Sequence, residues 1–230
     1  MGDHLPDGKH PATFEEQVRQ AMKNAGEVLR EAGLDFRHVV STQVYLDNYD
    51  NYNIANKVYS EFFEYGNEPA RATVFVDMIP NDTHVAIACV ATTDLSSRKV
   101  VRPANRKYGP EERAPTASPG VWAGEILYIS GQDGRNPETG LLGSDLKTQF
   151  DQMIRNQLDV LESAGLEIDN VVKSDIHLKI LDHYRPMNEI YINVFSVYPP
   201  TRITLQMNSG HQKGDVLVET IFVAARGKKE

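Results

Sequence analysis

The sequence predicts an α+β protein made of two tandem domains, each a mixed sheet with two helices on one face. Three observations predict it. The chain repeats itself: from Thr13 to Phe63 and from Asp145 to Phe195, at an offset of 132, 16 of 51 positions are identical. A fixed long period marks a duplicated structural unit. Each copy also moves from a helical period to strict alternation and back, which mixes helices with strands. Finally, 230 residues divide into two copies of about 100, each long enough to bury its own core. The expected division is 1–96, a linker at 97–115, and 116–230. The linker reading rests on its Pro and charge content, SRKVVRPANRKYGPEERAP.

The first copy opens with a helix. Phe14, Val18, Ala21, Ala25, Val28, Leu29 and Ala32 recur at steps of three and four, which paints one apolar stripe. Thr13 with Glu16 fits a capping box at its start. Gly33 follows the last apolar turn and suits a left-handed stop. In the second copy Leu146, Phe150, Met153, Ile154, Leu158, Leu161 and Ala164 form the same stripe, and Gly165 closes it. A half-buried strand follows in each, HVVSTQVYL at 38–46 and NVVKSDIHL at 170–178, alternating after its first apolar pair. A short second helix comes next, through Ile54, Val58, Tyr59 and Phe62 in one copy. Met187, Ile190, Tyr191, Val194 and Phe195 trace its twin, with Pro186 in the first turn.

Two strands close each copy, at 72–78 and 85–91, then 203–207 and 216–224. The second copy also has a front hairpin, GVWAGEILYISGQ at 120–132, turning at Ala123-Gly124. The first copy has no counterpart to it. Either it lacks two strands or the chain is a shortened version of something longer.

Composition narrows the function classes. A net charge of −8 suits a polyphosphate partner poorly, and the one basic patch is the junction 97–115. The single cysteine, Cys89, excludes an internal disulfide and fits a reducing compartment. Within HVAIACVA it reads as a small buried apolar residue. The polar start MGDHLPDGKHP has no signal core, and no stretch approaches about 18 apolar residues, so a cytoplasmic, membrane-free protein is expected. No His/Cys/Asp cluster has metal-ligand spacing, no glycine-rich loop precedes a helix, and no nucleophile elbow appears.

Arg202 opens a strand after two prolines, and its twin Arg71 stands in the same Pro-x-Arg-x-Thr setting. One reading is a surface ion pair. The other is a fixed guanidinium that grips a carboxylate through two parallel bonds. Its retention in both copies favours the second. Thr204 and Thr73, two residues on, share the arginine's face and offer a hydroxyl, unless they serve β-propensity alone. Glu219 interrupts the apolar run VLVETIFVAA, so it either faces solvent or is held for a task. The matching place in the first copy is Ala86, which cannot take a proton.

These segments resemble the RidA/YjgF family of enamine/imine deaminases. VWAGEILYISGQ with DGRNPETG resembles the family's opening hairpin and loop. MNEIY resembles its second-helix signature, PPTRIT and EPARAT its arginine strand, and GDVLVE its last strand. The resemblance implies a chorismate-mutase-like fold, trimeric assembly with sites between neighbouring domains, and no cofactor. It implies that Arg202 holds a substrate carboxylate while Glu219 steers water. Thr204, Gly131 and Asn188 would help bind, as would Arg71, Thr73 and Asn56. Two departures stand out. The family often has a covering tyrosine where this chain has Ala117, and NSGHQKG at 208–214 lengthens the rim, bringing His211 with it.

The expected function is therefore hydrolytic deamination of small enamine/imine carboxylates, releasing ammonia and a 2-oxo acid or related carbonyl. The alternatives are a non-catalytic carboxylate-binding or assembly module and a pathway-specific deaminase of the aminomuconate type. RNA cleavage, found in some relatives, is disfavoured by the charge. Expected partners are a small carboxylate substrate and further copies of the chain, a trimer being favoured, with no nucleic acid and no membrane.

Overall fold

A computed structural model of the chain describes residues 11–80, 83–104, 116–207 and 215–227. The first unit holds α1 (Phe14–Glu31), β1 (Val39–Leu46), α2 (Tyr52–Ser60), β2 (Ala70–Phe75) and β3 (Val85–Ala91). Strand β1 is central, parallel to β2 and antiparallel to β3. The capping box at Thr13 and Glu16 is formed, and Gly33 stops α1 at φ +74°. The apolar stripes of α1 and α2 pack on one sheet face through Val18, Met22, Val58 and Tyr59, against Val44 and Leu46.

The second unit repeats this and adds to it. Its sheet runs β4 (Lys99–Val101), β5 (Gly120–Ala123), β6 (Ile126–Ile129), β10 (Val218–Ala225), β8 (Val171–Leu178), β9 (Thr201–Gln206). A two-residue strand, β7 (Gln132–Asp133), pairs with β10 below the hairpin. Helices α3 (Leu146–Ser163) and α4 (Tyr184–Val194) cover one face. Phe150, Met153, Leu161 and Met187 meet Leu127, Ile176 and Phe222 there. The front hairpin is present in this unit alone among the described residues.

Two expectations need correction. Residues 99–101, placed in the linker, form β4, and Val101 is buried beside the hairpin. Cys89, read as buried, is exposed: it stands opposite Thr42 on β3, the sheet's edge strand. His211 and most of the expected linker lie outside the described residues.

A buried glutamine serves each unit identically. Gln17 on α1 accepts the His84 N–H at 3.1 Å, and Gln149 on α3 accepts the Leu217 N–H at 2.8 Å. Gln149 also donates to the carbonyls of Gly143 and Asp215. Each amide fastens the approach to its unit's last strand, satisfying backbone groups that helix packing takes away from water.

The two units meet where the edge of β2 lies along the hairpin. Ser118 N–H donates to Pro69 O, Gly131 N–H to Arg71 O, and Arg71 N–H to Ser130 Oγ, at 2.8–3.0 Å. Val40, Ala70 and Val121 form the small apolar cluster beneath.

Candidate functional site

A cavity of about 410 Å³ opens at this junction, with walls from both units. Arg71, Thr73, Tyr49, Tyr52 and Phe75 come from the first. Gly131, Gln132, Asp133, Ala117 and Glu219 come from the second.

Arg71 is delivered by β2, where it faces Thr42 of β1. Its side chain stacks over the Tyr59 ring, 5.0 Å from the centroid, and its Nη2 lies 3.5 Å from the Tyr52 hydroxyl. It is 8 % exposed, yet none of its ion pairs with a carboxylate falls within 4 Å among the described residues. Burying a guanidinium without a counter-charge is costly, so the arrangement favours an anion arriving from the cavity. Burial pushes the Tyr59 phenol well up, against the Arg71 charge and the Thr42 bond, so the ring stays neutral beneath the cation. Thr73 Oγ1 is buried with no hydrogen-bond partner, two residues along the same strand face.

Glu219 enters from β10. It stands opposite His177 of β8 and opposite Asp133 of β7. Its Oε1 lies 2.9 Å from His177 Nδ1, and its side chain is 21 % exposed towards the cavity. The aromatic wall is Tyr49 stacked on Tyr52, ring centroids 5.7 Å apart, with Phe75 against both. Ala117 also lines the cavity.

The sequence paired Arg202 with Glu219. The chain by itself brings Arg71 to Glu219, and Arg202 lies elsewhere. Register explains why. Arg202 pairs with Ser174, which pairs with Phe222, so these three share the helix-covered face. Glu219 is three residues from Phe222 and therefore points to the other face. An arginine and a glutamate of one unit thus lie on opposite sides of one sheet. Only a neighbouring unit brings the two kinds of residue together. Arg202 is half-buried over Tyr191 at 4.5 Å and Tyr184 at 5.8 Å, outside the cavity. Thr204 Oγ1 is buried and unpartnered there, as Thr73 Oγ1 is in the cavity.

The remaining candidates divide. Gly131 lines the cavity, but its N–H is taken up by Arg71 O, so it serves the contact between units. Asn56 on α2 and Asn188 on α4 do not line the cavity. Ala86 faces Tyr45 as Glu219 faces His177, so the first unit's own last strand carries no carboxylate there. The tyrosine wall and His177 escaped sequence reasoning. Only Tyr52, identical in its twin Tyr184, carried a usable signal. Among the described residues no group of three His, Cys, Asp or Glu is placed to hold a metal.

An anion-binding guanidinium and a carboxylate across one water-accessible cavity can orient a small acid and take a proton from water beside it. A family model described as endoribonuclease L-PSP matches residues 4–93 and 111–226. A RutC family protein of Saccharolobus solfataricus is 37% identical over 120 residues, covering 50% of this chain and 94% of that one. The human 2-iminobutanoate/2-iminopropanoate deaminase is 41% identical over 76 residues, 33% of this chain and 55% of that one. The crystal structure of the yeast protein YEO7 matches with a TM-score of 0.50 at 23% identity, covering 56% of this chain and 99% of that one, a likeness of fold alone. Matched along both of its halves, the chain belongs to the endoribonuclease L-PSP family, also known as RidA/YjgF.

Proposed function

We propose that the chain is a cofactor-free hydrolytic deaminase of small enamine/imine carboxylates, working in the cavity between its two units. The observation that carries this reading is a buried Arg71 with no carboxylate partner within 4 Å among the described residues, opening onto the same cavity as Glu219. Arg71 binds the substrate carboxylate through paired, charge-assisted bonds. Thr73 adds its unpartnered hydroxyl. The aromatic wall of Tyr49 and Phe75 takes a short apolar side chain. The enamine tautomerises to the imine. A water oxygen bonds to the imine carbon while Glu219 accepts one of its protons. That proton passes to the nitrogen, Glu219 then takes the hydroxyl proton and delivers it to the same nitrogen, and the C–N bond breaks as the oxygen becomes a carbonyl. Imine and water become a 2-oxo acid and ammonia. The names of the mammalian relatives support this choice of substrate.

The test is to generate 2-iminobutanoate in situ and follow its disappearance against buffer. The reading requires acceleration by the wild type and its loss in Arg71→Ala and Glu219→Gln. Equal rates in all three and in buffer sink it. Binding of 2-oxobutanoate without any turnover leaves the carboxylate-binding module instead.

A second reading concerns assembly. Ile203 and Leu205 on β9 are 48% and 51% exposed, while their first-unit twins Ala72 and Val74 are buried beside the second unit. We read the β9 face as a contact with another copy of the chain. Light scattering that finds a monomer at all concentrations removes it.

A further inference from the structure

We propose that His177 is the positioning residue for Glu219, holding one carboxylate oxygen so that the other is presented to the cavity. This rests on the hydrolytic reading above and adds a residue to it. The two side chains face each other across the β8–β10 ladder, with Nδ1 2.9 Å from Oε1. His177 is nearly enclosed, its side chain 4% exposed, while Glu219 reaches the cavity. A buried imidazole needs a partner, and a carboxylate can only accept, so the bond requires hydrogen on Nδ1.

The duplication gives an internal control. At the matching pair of positions the first unit has Tyr45 and Ala86, again facing each other across the ladder. Both members of the pair differ together, while the apolar frame around them is kept. Neighbouring acids on this face have other cations. Asp175 pairs with Lys173, Asp133 with Arg135, and Asp215 with Lys179. For Glu219 the described residues offer His177. A glutamate side chain otherwise samples several rotamers, and one pinned oxygen removes that freedom. Groups that orient a reacting residue typically matter by about 10- to 100-fold in rate.

The experiment uses the full chain, His177→Leu and His177→Asn, with in-situ 2-iminobutanoate and 15N-labelled histidine. The Asn side chain places an amide nitrogen near where Nδ1 stood. His177→Leu is expected to lower kcat about 10- to 100-fold with KM within about twofold, and His177→Asn to recover most of that loss. The imidazole of the wild type is expected as the Nδ1–H form, its resonance moving in Glu219→Ala. An undiminished kcat in His177→Leu overturns the proposal, as does an equal loss in Leu and Asn variants with the fold intact. If the wild type is no faster than buffer, the hydrolytic reading fails and the NMR decides alone. An Nδ1–H bonded to Glu219 sustains the positioning, and an Nε2–H form overturns it.

Discussion

Arg71 and Arg202 occupy the same place in their two sheets, opposite Thr42 and Ser174, and each lies over the tyrosine of its own second helix. Only Arg71 lines the cavity. The difference lies in what stands across from each: the second unit's hairpin and β10 face Arg71. In a fold whose arginine and glutamate project from opposite sheet faces, bringing the two kinds of residue to one cavity takes two units, and the two units of this chain do so with Arg71 and Glu219.

The two arginines should therefore separate in mutation. Losing the charge-assisted bonds of Arg71 to a carboxylate costs about 1.5–3 kcal/mol each. Arg71→Ala should lower kcat/KM for 2-iminobutanoate by about 100-fold or more, since each 1.4 kcal/mol is tenfold. Arg71→Lys keeps the charge but not the fork, and should fall between. Arg202→Ala should change the rate at most about threefold, while weakening self-association. Equal losses at both positions would show that the cavity at Arg71 is not where the substrate binds.

The duplicated glutamine carries a stability prediction. Gln149→Leu leaves the Leu217 N–H and the carbonyls of Gly143 and Asp215 without their partner. Buried groups left unpaired cost about 1–3 kcal/mol each, less where water reaches them. Urea unfolding should show a loss of about 2–4 kcal/mol, and the wall at Val216 should loosen. A midpoint within error of wild type would mean that the amide is dispensable.

How much of this could be read beforehand follows from what periodicity encodes. Stripes and alternation report which face of an element is buried, so both helices of each unit, their stops at Gly33 and Gly165, and the order of the main helices and strands along each unit were legible. The duplication marked Arg71 and Arg202 as equals. It also held the signal for Gln17 and Gln149, identical twins, but a lone glutamine inside an amphipathic stripe looks like a polar-face residue. The pairing of Arg71 with Glu219 was hidden because it depends on which edge meets which face between units, and no local pattern records that. Cys89 was misread for a related reason: its apolar run describes a strand, and no local pattern records that this strand is the sheet's edge.

Asp35 gives a dependence on pH. The Arg37 side chain beside it, then its own burial in the opposite sense and the Arg37 backbone bond, bring its carboxyl down to about 2. A carboxyl lowered in the folded state adds stability above its ordinary value near 3.8, and that stability is lost as pH falls through about 2. The side chain is 45% exposed, so solvent screens the pair and the effect is small. Asp35→Asn can still bond the Arg37 N–H but carries no charge. Its deficit in urea midpoint should be present at pH 6 and shrink towards nothing near pH 2. A deficit that is constant across this range would assign Asp35 a role in capping alone.

Ser130 offers the sharpest test of the junction itself. Its Oγ accepts the Arg71 N–H at 2.8 Å and donates to Ser118 O at 2.6 Å, so one hydroxyl joins the arginine strand to both arms of the hairpin. Ser130→Ala leaves a buried backbone N–H unpaired next to the side chain proposed to hold the substrate. The direct cost should be about 1–3 kcal/mol of stability. The functional cost should fall on binding: with β2 free to shift against the hairpin, the guanidinium loses its fixed height in the cavity. KM for 2-iminobutanoate and Kd for 2-oxobutanoate should both rise about tenfold, with kcat reduced less. Ser130→Thr keeps the hydroxyl and should restore most of the affinity. If Ser130→Ala destabilises the chain yet leaves both constants untouched, Arg71 is held by its own unit, through Tyr59 and Thr42, and the contact between the units serves folding and not the site.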